Sequence, residues 1–538
     1  MERARDDLSS DTSGSMNRQS YGPKWQGPVL GLLATGAGLA AAELVVGLVQ
    51  GSASPVVPVG QVFIDIVPRP LKNWAVETFG TNDKAVLVFG ALVVVLGIGV
   101  TVGILAMRGA RAAAYALTSV IGLLGAFAVL TRPDPTLAKL LPTIVGTGVS
   151  IAVLWYLAPR PSVRGEVVGT DQASTAATTA QAMGVDRRRF VGGAIGIGSA
   201  AVIVGGIGRM LQQRFEVSAE RSTIALPLPE SESPALPANI DPPLEGLTPF
   251  VTPNQDFYRI DTALVVPQVS KDSWSLKIGG MVDTPLEITF ADLLARPQVE
   301  RYVTLSCVSN PVGGGYIGNA LWQGVLLKDV LDEAGIQAGA TQVVSRSVDG
   351  WTAGTPTEVI MDGRDAMLAI AMNGEPLPAR NGYPVRMVVP GLYGYVSATK
   401  WVTDIELTRW EDYDAYWVPR GWSKLGPIKT MARIDAPRQR DHVGEVAVGG
   451  VAWAIHRGVS KVQVRIDEGE WMDAELGGVP SSDTWVQWVA RVSPAPGKHT
   501  IEARAFDADG VPQTEEYAPV APNGAQGYPR ISVNVKSA

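Results

Sequence analysis

Cysteine occurs once in 538 residues, and histidine three times, at His442, His456 and His499. One thiol excludes an internal disulfide framework. One Cys with three late His residues also excludes a zinc-finger cluster and a Cys-ligated iron–sulfur centre. Any metal must be held mostly by something other than side chains. Charge is sparse as well: 45 Lys+Arg against 52 Asp+Glu make up 18% of the chain and leave a net charge of −7. That is below the ~25% usual in soluble domains and lacks the basic surplus of a nucleic-acid-binding surface, so no nucleic acid is expected as a partner. A mean hydropathy of +0.14 with 59 Gly and 38 Pro points instead to a chain that is part membrane and part loop-rich globule.

The hydrophobic residues are concentrated. Trp25–Val49 carries only Glu43, while Ala85–Met107, Ala112–Thr131, Leu140–Ala158 and Phe190–Gly208 carry no charge. At ~1.5 Å per residue each run can cross a hydrocarbon core, which predicts five transmembrane helices. Arg3, Arg5, Arg18 and Lys24 precede the first run, Arg108 and Arg111 separate the second and third, and Arg160, Arg164 and Arg187–Arg189 precede the fifth. This bias places the N-terminus inside and the C-terminal half outside, although Lys72, Lys84, Arg209 and Arg214 then fall outside. The expected location is the cell membrane, multi-pass, with the C-terminal half extracytoplasmic. Glu43 is expected to face other helices or to lie near the outer end of its span. None of the five runs contains His, so a His-ligated transmembrane haem is excluded. Asp186-Arg187-Arg188-Arg189-Phe190-Val191 has the form of a twin-arginine export signal and equally fits ordinary positive flanking.

The pattern divides the chain into a cytoplasmic N-terminus (1–24), four spans (25–158), a cytoplasmic linker (159–189) without a periodic apolar face, a fifth span (190–212), a Pro-rich extended segment (213–252), a mixed α+β globule (253–425) and a C-terminal β-sandwich (426–538). Short alternating runs mark the globule at Trp274–Ile278, Tyr302–Ser306, Gln342–Ser345 and Val385–Val389, with helical pieces at Phe290–Leu294 and Leu327–Ala334. Val446–Val448, Val462–Ile466, Trp485–Val489, Thr500–Ala505 and Ile531–Val535 recur between Gly/Pro turns, as sandwich strands do.

The single thiol, Cys307, ends a strand-like run and opens a loop containing Gly313-Gly314-Gly315. A lone Cys is often a small buried hydrophobe, yet in a domain expected outside the cell metal ligation or nucleophilic use is equally open. Gly313-x-Gly315-x-x-Gly318 has dinucleotide-fingerprint spacing, but Asn319–Gly324 does not read as the helix that should follow. Arg386 alternates into an apolar strand and needs a partner, and Ser397 and Lys400 share a loop suited to an anion. A phosphate-bearing ligand satisfies all three, and a salt-bridged Arg with a solvated Lys is the simpler alternative.

Ordered along Pro253–Val535 are Pro253-Asn254-Gln255-Asp256-Phe257-Tyr258-Arg259, Leu305-Ser306-Cys307, Gly318-Asn319-Ala320-Leu321-Trp322-Gln323-Gly324-Val325, Asp349-Gly350-Trp351, Met372-Asn373-Gly374-Glu375-Pro376-Leu377-Pro378, Pro384-Val385-Arg386 and Lys400-Trp401. On these residues the chain resembles the sulfite oxidase superfamily of molybdopterin-dependent oxidoreductases. The resemblance implies a multi-domain protein: a five-helix transmembrane anchor, an α+β sulfite-oxidase-like molybdopterin domain and an immunoglobulin-like, dimerisation-type β-sandwich. It implies that Cys307 is the thiolate on molybdenum. Asn254, Tyr258 and Arg259 would line the pterin, with Ser347 a further contact, and Asn381, Arg386, Ser397 and Lys400 would hold the pyranopterin and its phosphate.

Two departures bear on substrate. Sulfite oxidases follow the ligand Cys with an Asn-Arg motif, where this chain has Val308-Ser309-Asn310-Pro311. They also place a Tyr shortly before Asn-Gly-Glu-Pro, where Ile370-Ala371-Met372 stand here, and Asn381 replaces their His, as in the bacterial sulfoxide-reductase branch. The resemblance therefore implies a membrane-anchored molybdenum oxidoreductase moving an oxygen atom to or from a small or protein-bound substrate, a sulfoxide or N-oxide rather than sulfite. It further implies a separate redox partner and a homodimer. The alternative is a non-catalytic surface-binding protein built on a degenerate cofactor domain.

Overall fold

The computed structural model describes residues 23–49, 51–68, 71, 74, 78–79, 83–132, 135–159, 172–213, 216–439 and 441–537. The charges at Arg3, Arg5, Arg18, Lys72, Arg160, Arg164 and Arg214 lie outside them, as does most of the expected N-terminal segment. The chain forms two compact units, 1–214 and 215–538.

In the first unit, five described helices are long and apolar enough to cross a membrane: Gln26–Leu48, Lys84–Met107, Arg111–Leu130, Leu137–Leu157 and Arg187–Gln212. Helix Gln26–Leu48 is central because its inward face is small. A Cβ at Gly38 would lie 2.5 Å from Gly146 O, so only glycine allows the backbones this close. Its side chains Leu30 and Ala34 join Val102, Ala114, Leu154 and Phe190 in one apolar cluster. Trp25 meets Phe190 edge to face at 5.7 Å, and Arg111 Nη2 donates to Ala158 O at 2.9 Å. The starts of the first, third and fifth spans and the end of the fourth thus share one end, together with Lys24, Arg111 and Arg189. Glu43, in the last two turns of its helix, accepts from Ser54 Oγ at 2.6 Å and from Gln212 Nε2 at 2.8 Å, so it faces the helix that ends at Gln212 and lies near one end of its own.

Two features depart from the sequence reading. An eleven-residue helix, Val56–Ile66, follows the first span; it is too short to cross a bilayer and its apolar run had no charge-free span to mark it. The expected linker 159–189 is helical from Gln172, continuous with the fifth span to Gln212. Its Ala-rich composition supplies helix propensity without requiring an apolar stripe.

The second unit is β-rich. One sheet runs in the order Leu286–Thr289, Ser275–Gly280, Val402–Thr408, Gln342–Ser347, Thr352–Pro356. A second runs Val299–Ser306, Ile317–Leu326, Met367–Met372, Glu375–Pro376, and Arg386–Val388 pairs with Met367–Met372. Helix Phe290–Leu294 is closed by a capping box between Thr289 and Asp292. Leu327–Ala334 buries Leu327, Val330, Leu331 and Ala334, the i, i+3, i+4, i+7 stripe of a core-facing helix. The segment expected to be extended opens instead with a helical turn, Ser218–Arg221, whose Arg221 donates to Leu377 O and Pro376 O, both at 2.6 Å; past it the Pro-rich chain crosses this surface, Glu230 N donating to Gln298 O at 2.8 Å.

Beyond it, the sheet ordered Met431–Ala436, Val446–Trp453, Val486–Val492, Glu475–Leu476 faces a sheet ordered Asp441–Val443, Arg530–Lys536, Gly497–Asp507, Val459–Ile466, Met472–Asp473. Trp488, Val448 and Val486 from one and Ile501, Val464 and Val533 from the other share one apolar core, so the pair is a sandwich. A buried polar hub ties it to the strand that carries the thiol. Thr304 Oγ1 donates to Asn319 Oδ1 at 2.9 Å and accepts from Trp485 N at 2.8 Å, Thr304 N donates to Asp483 O at 2.9 Å, and Asn319 Nδ2 donates to Phe250 O at 3.0 Å.

Candidate molybdopterin site

Cys307 follows the last residue of strand Val299–Ser306 and is 8% exposed. Its backbone is fixed on both sides, Cys307 N donating to Tyr316 O at 2.9 Å and Asn310 N to Cys307 O at 3.1 Å. Asn310 Oδ1 accepts from Tyr316 N at 2.9 Å, closing the loop beneath the thiol. After Gly318 the chain continues as strand Ile317–Leu326, not as a phosphate-binding helix. Sγ lies 2.9 Å from Ser309 Oγ. Burial pushes the thiol up, and the Ser309 contacts and the Lys400 charge oppose this.

The cations converge here. Arg386, 5% exposed, donates Nη1 to Asn381 O at 3.0 Å and Nη2 to Ala398 O at 3.4 Å, and lies over the Trp322 ring at 4.8 Å. Among the described residues it has no carboxylate partner, and burial lowers its pKa to about 10, with Tyr258 opposing. Lys400 Nζ donates to Asp261 Oδ2 at 2.6 Å, and Arg259 Nε reaches the same oxygen at 2.8 Å. Burial brings Lys400 down to about 8, Asp261 pulls it up, and Arg386 and Arg259 push it down further. Tyr258 is raised by burial and then by Cys307, while Arg386 lowers it, so its phenol lies in the field of both.

The nine expected site residues divide accordingly. Cys307, Tyr258, Arg259, Arg386 and Lys400 come together. Asn381 is 2% exposed, its carbonyl holds Arg386, and its Oδ1 is buried without a hydrogen-bond partner. Ser347 lies opposite Val402 in the sheet register, and Val348 N donates to Trp401 O at 3.0 Å, which places this strand end beside Lys400. The other two side chains are engaged elsewhere: Asn254 Nδ2 donates to Glu375 Oε1 at 2.6 Å and Met372 O at 3.1 Å, and Ser397 Oγ donates to Leu392 O and Tyr393 O, both at 3.0 Å. Sequence reasoning missed Asp261, which accepts from Lys400 and Arg259, and Ser309, whose Oγ meets the thiol. Asp261 stands two residues after Arg259, a spacing that carries no motif.

A guanidinium buried against carbonyls and an aromatic face, an orphaned amide oxygen and a lysine flanked by two other cations together fit a ligand with an anionic end and a hydrogen-bonding heterocycle. Among the described residues no three His, Cys, Asp or Glu side chains are grouped to hold a metal.

The oxidoreductase molybdopterin binding domain matches residues 263–417, a span that includes Cys307, Ser347, Asn381, Arg386, Ser397 and Lys400. This part of the chain has the form of a molybdopterin-binding oxidoreductase domain. It is 33% identical over 180 residues to the uncharacterized oxidoreductase YuiH of Bacillus subtilis (strain 168), covering 33% of this chain and 87% of that protein. It is 30% identical over 336 residues to mitochondrial sulfite oxidase of Homo sapiens, covering 53% of this chain and 61% of the relative. The sulfane dehydrogenase SoxCD structure from Paracoccus pantotrophus aligns at 26% identity and a TM-score of 0.45, over 50% of this chain and 75% of that one. The chain belongs to the sulfite oxidase superfamily of molybdenum oxidoreductases, whose cofactor is molybdopterin, and spans about three fifths of the length of the mammalian sulfite oxidases it matches.

Proposed function

We propose that this chain is a membrane-anchored oxidoreductase, its molybdopterin domain extracytoplasmic, that transfers oxygen to or from neutral oxides such as sulfoxides or N-oxides at a Cys307-ligated molybdenum centre. The single observation that carries the reading is the buried Cys307 thiol in the field of Lys400, with Arg386 and the orphaned Asn381 Oδ1 gathered in the same site. When bound, the molybdenum cofactor supplies the two-electron chemistry of oxygen-atom transfer. Cys307 is held for ligation by its hydrogen bonds to Tyr316 and Asn310, and Ser309 Oγ steadies its sulfur. Arg386 and Asn381 hold the pyranopterin, and Lys400, aligned by Asp261, meets the phosphate. Ser347 and Tyr258 complete the wall, while the roles of Asn254 and Ser397 reduce to supporting the Met372–Glu375 turn and the Gly394–Ser397 turn.

The preference for a neutral substrate rests on charge. Val308–Pro311 bring no cation to the thiol, the strand before Asn373 is a fully buried apolar run, Met367–Met372, and the Asp261 carboxylate offsets two of the three clustered cations. The anchor has no His, so electrons pass to or from a separate redox partner. We assign the sandwich to the immunoglobulin-like type and to a homodimer contact. The test compares sulfite with dimethyl sulfoxide on the purified, molybdenum-loaded protein using artificial electron carriers. Turnover of the sulfoxide with poor sulfite oxidation is expected; a sulfite kcat/KM near that of an authentic sulfite oxidase would contradict the substrate reading.

A further inference from the structure

At the junction of the cofactor domain and the sandwich lies a cavity of about 250 Å³ whose walls include Lys429, Arg457, Asp507, Thr514 and Gln526. Lys429 Nζ donates to Asn523 Oδ1 at 3.0 Å and Gly524 O at 2.6 Å, both neutral acceptors. No ion pair to Lys429 occurs among the described residues, and burial lowers its pKa. Arg457 donates Nη2 to Ile428 O at 3.1 Å and Thr430 Oγ1 at 3.0 Å, and its Nε stands 3.4 Å from Asp507 Oδ2. Asp507 also accepts from Val511 N at 2.9 Å through its other oxygen. The cavity therefore presents two cations against one carboxylate, which pairs with Arg457, and a half-buried ammonium with only neutral acceptors is under-compensated.

The walls are built. Gln513 is 3% exposed and uses its whole amide, accepting from Ala432 N at 2.9 Å and Ala505 N at 3.1 Å and donating to Gly527 O at 2.8 Å. Gly524, at φ +97°, allows the close approach of Tyr393, because a Cβ there would come 2.6 Å from Tyr393 Oη. Lys429 N donates to the same phenol at 3.4 Å. Burial raises the Tyr393 pKa, the Lys429 N contact opposes this, and Cys307 raises it further while Arg457 lowers it, so the phenol lies in the field of both.

We propose that this cavity is an anion-binding site for a small oxyanion or carboxylate-bearing molecule, with Lys429 and Arg457 as its cationic contacts. Its volume, below the ~300 Å³ at which drug-sized pockets begin, suits a ligand of a few heavy atoms. Neither Lys400 nor Arg386 lines this cavity, so the site is separate from the one proposed for the cofactor, and it stands whether or not the substrate is neutral at its reacting atom.

The experiment is calorimetric titration of the full-length, cofactor-loaded protein at pH 7 and low ionic strength with inorganic sulfate and, separately, with succinate. Saturable binding of at least one probe is expected, weakened tenfold or more by Lys429→Met, kept within threefold by Lys429→Arg and unaffected by Lys424→Met, whose ammonium pairs with Asp414 instead. Sulfate alone identifies a free oxyanion as the ligand class, and succinate alone a carboxylate-bearing molecule. Arg457→Met should weaken binding similarly, but it also strips Asp507 of its partner, so the Lys429 pair decides. Failure of both probes to bind, or an unchanged affinity in Lys429→Met, would overturn the proposal.

Discussion

Lys400 donates to Asp261 Oδ2 at 2.6 Å with both side chains nearly buried, 11% and 5% exposed. Despite that partner, burial and the neighbouring cations hold Lys400 at about 8, below its ordinary 10.5. The unfolded chain therefore keeps this proton to higher pH than the folded, cofactor-free protein. The linked penalty is fully present below pH 8 and is relieved between about 8 and 10.5, so stability should rise with pH through that window, by on the order of 3 kcal/mol at most. Thermal midpoints of cofactor-free wild type and Lys400→Met from pH 7 to 10 check this. The difference between them should shrink or change sign as pH rises, and a pH-independent difference would show that Lys400 titrates normally.

Substitutions at Asn381 and Arg386 should both lower cofactor loading. Asn381→Leu removes a buried oxygen that lacks a partner, a defect worth ~1–3 kcal/mol, so the cofactor-free protein should keep or gain stability while loading falls. Arg386→Ala would remove the proposed charge-assisted contact to the cofactor, typically ~1.5–3 kcal/mol or about 10–150-fold in affinity. Molybdenum and pterin content per protein, measured beside the thermal midpoint, separates the two effects.

Thr304→Val should destabilise the second unit by about 2–4 kcal/mol. The methyl group fills the hydroxyl's place but leaves Trp485 N and Asn319 Oδ1 without their Thr304 bonds in a fully buried setting. Denaturant unfolding followed by Trp fluorescence measures this. A change within 0.5 kcal/mol, the range of an ordinary surface substitution, would mean the hub does not couple strand and sandwich.

A membrane-impermeant thiol reagent on intact cells should label Ser481→Cys and not Thr175→Cys. The grouping of Lys24, Arg111 and Arg189 at one end of the spans gives the charge bias a single side to act on. Labelling at Thr175→Cys alone would invert the arrangement.

What the sequence displayed and what it concealed follow from the range of each interaction. Long apolar runs, four of them charge-free, announced the five candidate spans, and the short apolar runs Tyr302–Ser306 and Val385–Val389 marked the strands Val299–Ser306 and Arg386–Val388. Cys307 was conspicuous as the only thiol ending such a strand. Asp261 was not, since its importance comes from two cations, one of them 139 residues away in sequence. The Thr304–Asn319–Trp485 hub was hidden for the same reason, and Asn254 and Ser397 looked equivalent to Asn381 until their hydrogen-bond partners were known. The helix beginning at Gln172 shows the converse case, in which local propensity builds an element without the apolar periodicity by which helices are recognised.

The most direct measurement of the central claim is the electronic absorption spectrum of molybdenum-loaded Cys307→Ser beside wild type, with turnover on the same sample. A hydroxyl is a harder and poorer ligand than a thiolate, and Cys307 lies in a loop held by backbone bonds that the substitution leaves in place. The account expects a changed metal-centred spectrum, turnover lost to background and a thermal midpoint within a few degrees of wild type. An unchanged spectrum with unchanged turnover would show that Cys307 is not on the metal.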